Sequence, residues 1–163
     1  DGWVKVRGML PGLVPGGDVK AVCDCCDQLN RALAEGDTLK QLSTSQRSEI
    51  VKAAAKSLDA KDPTLLSKVA GLILKITKGG ANLLSVSKLL FRLSKEKSND
   101  DVFLSEGVTP GILSALGGNR LASITGGSAG GAPAADLEAS LYLWGCLKNV
   151  TVDSTGNQDC VLG

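Results

Sequence analysis

At 163 residues the chain is long enough for one ordinary domain or for a few helical repeats. Its 18 lysines and arginines against 17 acidic residues leave no global charge that would point to nucleic acid or a membrane surface. Aromatics make up 3% and β-branched residues never alternate over a long run, which argues against a sheet protein.

No apolar stretch reaches the roughly 18 residues of a membrane span, and no signal peptide is visible. The chain opens at Asp1 and stops at Gly163 just after the apolar run from Cys160 to Leu162, so it is expected to be part of a longer array. Cys23, Cys25 and Cys26 crowd together, with Cys146 and Cys160 far away; this odd set does not suit a disulfide framework and points to a reducing compartment. The sequon Asn149-Val150-Thr151 lies inside an apolar helical run and is discounted.

Residues 1–17 hold two prolines and several glycines, and are expected to form an extended arm or linker, with Trp3, Val4 and Val6 packing as part of that arm. Asp18 then offers an N-cap, and Val22, Cys26, Leu29 and Leu33 recur at helical spacing until Gly36. Ser43 and Gln46 predict a capping box ahead of Ile50, Ala54 and Leu58. Asp62-Pro63 is an N-cap followed by proline at the first helical position. The helix it opens buries Leu65, Leu66, Val69, Leu72, Ile73 and Ile76 and is expected to end at Gly79-Gly80. Asn82 is expected to start another helix with Leu83, Val86, Leu90 and Leu93 on its inner face.

Two short helices follow, the first capped by Asn99 and the second started by Thr109-Pro110. Helices shorter than about 12–15 residues are marginal alone, so these two need neighbours. Residues 117–135 read as a flexible Gly/Ala-rich insert. A last long helix is expected from about Asp136 to Val152, with Leu141, Leu143, Leu147 and Val150 apolar.

The order long, short, short, long recurs. "LLFRLSKEKSNDDVFLSEG" (89–107) aligns with "GCLKNVTVDSTGNQDCVLG" (145–163), pairing Leu90 with Leu147, Leu93 with Val150 and Val102 with Cys160. Removing the roughly 15-residue insert from that offset leaves about 42, inside the roughly 40–47-residue period of helical solenoids. Stacking on copies of themselves is what stabilises helices too short to stand alone.

Motifs that suggest chemistry have plainer readings. Cys23-x-x-Cys26 has the spacing of a redox or zinc half-site, but zinc needs four ligands and the chain has no histidine. Cys23 and Cys26 are therefore expected to be small core residues, with Cys25 more exposed. Gly126-Gly127 and Gly130-Gly131 resemble a phosphate loop, yet Ala132 and Pro133 stand where the lysine belongs. With no nucleophile elbow and no carboxylate pair of telling spacing, no catalytic residue, metal or cofactor is expected. Lys52, Lys56, Lys68 and Lys75 read as solubilising, since no aromatics interleave them.

"NDDVFLSEGVTPGILSALG" resembles the first two helices of an armadillo repeat, and "EASLYLWGCLKNVT" its long third helix, with Gly145, Leu147 and Asn149 in the expected order. The resemblance implies an all-α, right-handed armadillo-like solenoid of about three repeats over 18–163. Residues 65–100 further resemble armadillo-repeat proteins of motile cilia. That resemblance implies a non-catalytic scaffold or adaptor of the cytoplasm and the ciliary axoneme. Its partners would be radial-spoke subunits and other axonemal or intraflagellar-transport proteins, with no nucleic acid, membrane or small-molecule substrate.

In the armadillo pattern the asparagine late in the third helix lines a concave groove and holds an extended peptide. Asn149 occupies that position, while the preceding repeat has Arg92 there and Lys88 where Gly145 would sit. Lys88, Arg92 and Lys95, at i, i+4 and i+7, thus form a basic stripe suited to acidic partners and continued by Asn149. The competing functions are a generic armadillo peptide adaptor of nuclear-import or signalling type, and a thiol redox protein using Cys23 and Cys26.

Overall fold

The computed structural model describes residues 1–77, 79–117 and 134–163. Among these residues every regular element is helical. The chain divides into two compact units, Asp1–Thr77 and Lys78–Gly163. Most of the expected Gly/Ala-rich insert, residues 118–133, lies outside the described residues.

In the first unit the expected extended arm is instead a helix. Asp1 caps α1 (Gly2–Met9) by accepting from the Trp3 amide at 2.9 Å. A 3₁₀ turn, Leu10–Gly12, follows. Val6, Leu10 and Leu13 are spaced to share one face, and all three are buried. Burying them stabilises the segment in a way its glycine and proline content hides. α2 (Val19–Ala34) starts where predicted, with Asp18 Oδ2 accepting from Ala21 N at 3.0 Å. Its buried face is Val22, Cys25, Cys26, Leu29 and Leu33, so Cys25 lies inside and Cys23 is half-buried, the reverse of the expected order. The i, i+3, i+4, i+7 pattern from Val22 selects Cys25.

After α2 a 3₁₀ turn, Glu35–Asp37, bends at Gly36 (φ 54°) and runs into α3 (Thr38–Gln41). Left-handed backbone of this kind suits glycine. α4 (Thr44–Ala55) carries the predicted capping box of Ser43 and Gln46. α5 (Pro63–Ile76) is capped by Asp62, whose Oδ1 accepts from Leu65 N at 2.9 Å. It stops at Ile76, short of the glycines, with Thr77 in extended backbone.

Two lysines expected only to solubilise instead join α5 to α2. Lys68 Nζ lies 2.8 Å from Asp27 Oδ1, and Lys75 donates to Asn30 Oδ1 at 2.8 Å. These joins fall 41 and 45 residues apart in sequence. Arg47 donates to Ile76 O at 2.9 Å, Leu39 O at 2.6 Å and Leu42 O at 3.4 Å, satisfying carbonyls that helix ends leave open.

The second unit repeats the order. α6 (Ala81–Ser94) starts one residue before Asn82, after Gly80. Its start lacks a local side-chain cap; Asp136, far along the chain, accepts from Gly80 N at 2.7 Å. Leu83, Val86, Ser87, Leu90 and Ser94 are buried, and Leu93 is only half-buried. A 3₁₀ turn, Lys97–Asn99, leads into α7 (Asp100–Ser105), and Gly107 (φ 72°) turns the chain into α8 (Val108–Gly117).

Asn99 stands at the start of α7 but makes no side-chain cap. Its amide donates back to Leu93 O at 2.9 Å, closing the end of α6. α9 (Ala134–Thr151) packs along α6, and α10 (Thr155–Leu162) packs on α7 and α8. Fully buried Asn157 joins three elements: its Nδ2 donates to Asp100 O at 3.0 Å, and its Oδ1 accepts from Thr109 Oγ1 at 2.7 Å.

Candidate functional site

α6 and α9 lie side by side because each turns a stripe of small and apolar residues toward the other. On α9 these are Ala139, Leu143, Cys146, Leu147 and Val150, all buried. One contact brings the two backbones close: a Cβ on Gly145 would sit 2.7 Å from the ring of Phe91. Phe91 also meets Tyr142, with ring centroids 5.5 Å apart and planes inclined at 59°. This tilted pairing is a favoured aromatic geometry.

The result is an open groove of about 440 Å³ lined by Phe91, Glu138, Leu141, Tyr142, Gly145, Lys148 and Asn149. Of the predicted partner-binding residues, Asn149 lines it directly. Its Nδ2 already donates to Ser94 Oγ at 3.0 Å, and Ser94 in turn donates to Phe91 O at 2.6 Å. That amide therefore holds α9 to α6. Lys88 and Lys95 border the groove: Lys88 Nζ sits 5.9 Å from the centre of the Tyr142 ring and 3.8 Å from Glu138 Oε1, and Lys95 Nζ lies 4.8 Å from the centre of the Phe91 ring. Ammonium over an aromatic face is an electrostatic attraction that positions both cations at the rim. Arg92 is exposed on α6 and is not among the lining residues.

The aromatic floor carries no signal in the apolar spacing, and of the four apolar positions expected on this helix Leu143, Leu147 and Val150 are buried while Leu141 is not. Leu141 points outward, 72% exposed, and with Leu137 and Trp144 it forms a second apolar stripe on α9 at i, i+4 and i+7. The signal was present in that spacing. A helix apolar on two sides has one side left over once its core face is chosen.

Elsewhere, burial pushes the Cys26 thiol up to about 12, with further contributions from the neighbouring cysteines and Asp27. It pushes Cys146 up to about 12 as well, although a bond to Ser94 opposes the shift. Burial also raises Cys25. Thiol chemistry requires the thiolate, which such burial suppresses at neutral pH. Among the described residues no three His, Cys, Asp or Glu side chains converge as a metal site requires. No described helix is long and apolar enough to cross a membrane.

In each unit a long helix, followed by a 3₁₀-led short helix, has a second long helix laid along it, an all-helical arrangement consistent with an armadillo-like helical repeat. Over 134 residues, 82% of the chain, the sequence is 34% identical to armadillo repeat-containing protein 2 of Mus musculus, 31% to that of Bos taurus and 29% to that of Homo sapiens. The chain is thus a relative of armadillo repeat-containing protein 2, as the likeness read from its residues implies. The match spans 14% of the length of each of these relatives. No family model matches the chain, and no solved structure does.

Proposed function

We propose that the chain is a segment of a non-catalytic protein-binding scaffold, a right-handed armadillo-like solenoid of about three repeats. The α6–α9 groove is the partner site. The observation that carries this reading is the groove itself, with an apolar and aromatic floor and lysines at its rim. Grooves of this make-up suit a protein ligand that offers apolar anchors and carboxylates.

The resemblance of residues 65–100 to armadillo proteins of motile cilia supports radial-spoke subunits, and other axonemal or transport proteins, as partners in the cytoplasm and axoneme. Lys88, Arg92 and Lys95 take acidic segments of the partner, and Asn149 fixes the groove wall. The test is binding of purified spoke subunits to Lys88→Glu/Arg92→Glu. Binding should weaken by about 1–3 kcal/mol for each charge-assisted hydrogen bond removed. Undiminished binding by a folded double mutant moves the partner off this groove.

A generic nuclear-import adaptor is the weaker alternative, because Arg92 replaces an asparagine and the Asn149 amide is held by Ser94. Binding of basic localisation peptides would restore it. A redox role for Cys23 and Cys26 would require disulfide-exchange activity in the native chain.

A further inference from the structure

We infer that the outer face of α9, with the groove beside it, docks an amphipathic helix of a partner whose apolar ridge is flanked by carboxylates. This rests on the scaffold reading and names its partner class. Leu137, Leu141 and Trp144 expose 40%, 72% and 49% of their surface, while the other side of the same helix is filled by Leu143, Cys146, Leu147 and Val150. An exposed apolar row of this kind marks an interaction surface. The alternation of four and three residues is the spacing of a helix–helix seam, and the row spans about 10 Å of helix axis.

Leu141 belongs to both the row and the groove. A helix laid along the row therefore sets a second line of side chains over Phe91 and Gly145, as ridges pack into grooves. A helix fits better than an extended strand. The exposed contacts recur at helical spacing, and Asn149, which an extended backbone would need, already spends one amide hydrogen on Ser94.

Charge then selects the partner. Lys148 continues the row beyond Trp144 and lines the groove; Lys88, Arg92 and Lys95 stand on the facing helix. Against them the groove sets Glu138, which lies 3.8 Å from Lys88. A second copy of this chain would bring the cationic rim against itself, which like charges disfavour. A helix flanked by glutamate or aspartate complements it.

The test uses the whole 163-residue chain with Trp3→Phe, so that Trp144 alone reports. The probe is a synthetic peptide of about 20 residues with leucine at heptad a and d and glutamate beside them. Trp144 emission should shift to the blue and saturate. Leu141→Glu and Lys148→Glu, each at an exposed position and each checked for unchanged helicity, should weaken binding about tenfold. The same peptide with lysine for glutamate should not bind. Equal binding of a proline-interrupted acidic peptide, or no effect of Leu141→Glu, overturns the inference. If that interrupted peptide binds and Lys88→Glu/Arg92→Glu abolishes it, the helical partner falls while the scaffold reading stands. If no acidic peptide binds, the helical partner falls, and the spoke-subunit assay judges the scaffold reading separately. A dimer in sedimentation that Leu141→Glu dissolves would also overturn it.

Discussion

The two units follow the same order and put it to different use. In each, a long helix gives way to a 3₁₀ turn and a short helix, then a middle helix, then a second long helix packed along the first. In the first unit that second helix, α5, buries Leu65, Leu66, Val69, Ala70, Leu72, Ile73, Leu74 and Ile76 and leaves no large apolar side chain in the open. The joins between α2 and α5 are made by Lys68 and Lys75. In the second unit the equivalent helix, α9, fills its core face and still exposes Leu137, Leu141 and Trp144. One layout thus closes its apolar surface in one place and leaves an apolar row open in the other. The outward residues of the second long helix make the difference.

The largest effect should come from cutting the buried polar joins that each unit relies on. Arg47→Met in the first unit and Asn157→Ala in the second each remove several hydrogen bonds, leaving Ile76 O and Thr109 Oγ1 respectively without those partners. An unpaired buried polar group costs about 1–3 kcal/mol, so each variant should lose about 3 kcal/mol by urea unfolding. A much smaller loss at Asn157 would mean that α10 is not tied to α7 and α8 through it.

Next in size is Gly145→Val. The new side chain meets the Phe91 ring, and overpacking costs about 1–3 kcal/mol. The same change should block the groove, so peptide binding should fall further than thermal stability. The equivalent contact is absent at Gly71 on α5, where a Cβ meets nothing within 4 Å. Gly71→Ala should therefore be neutral or stabilising by up to about 1 kcal/mol. A matching loss at both glycines would erase the contrast between the units.

Alkali should act on both units in the same direction. Cys26 and Cys146 are each pushed from 9.0 to about 12 by burial. Unfolded thiols release their protons first, so stability holds below the ordinary thiol range and falls as pH rises from about 9 toward 12. Denaturation midpoints across that range check this, and Cys26→Ala/Cys146→Ala should flatten the decline.

Asp100→Asn tests a smaller point of the same sign at lower pH. Burial raises the Asp100 carboxyl, although Lys97 opposes it, and its Oδ1 has no hydrogen-bond partner. A carboxyl with a raised folded value stabilises the native state only below its unfolded range, and that contribution is lost as pH rises through the folded one. The variant should therefore gain stability near neutrality, and the gain should vanish in acid. The smallest effect belongs to Lys95→Ala, an exposed cation over Phe91, at about 0.5 kcal/mol of stability.

The sequence by itself determined whatever acts within about one turn. Asp18, Ser43 with Gln46, and Asp62-Pro63 start their helices as read, because a cap and its acceptor lie within three residues. The stripe from Leu65 to Ile76 is buried as its period requires. The recurrence of Leu90 at Leu147 marked the two helices that build the groove. Tertiary structure alone decided the rest. Asn99 looks like a cap locally, but its amide reaches back to Leu93; the Asn157 amide reaches Asp100, and the start of α6 is closed by Asp136, 56 residues away. Residues 1–17 read as a linker until α2 offered Val6, Leu10 and Leu13 a surface. Leu141 faces solvent because α6 took the other side of α9. Periodicity tells which residues share a face, and only the packed neighbour decides which face is covered.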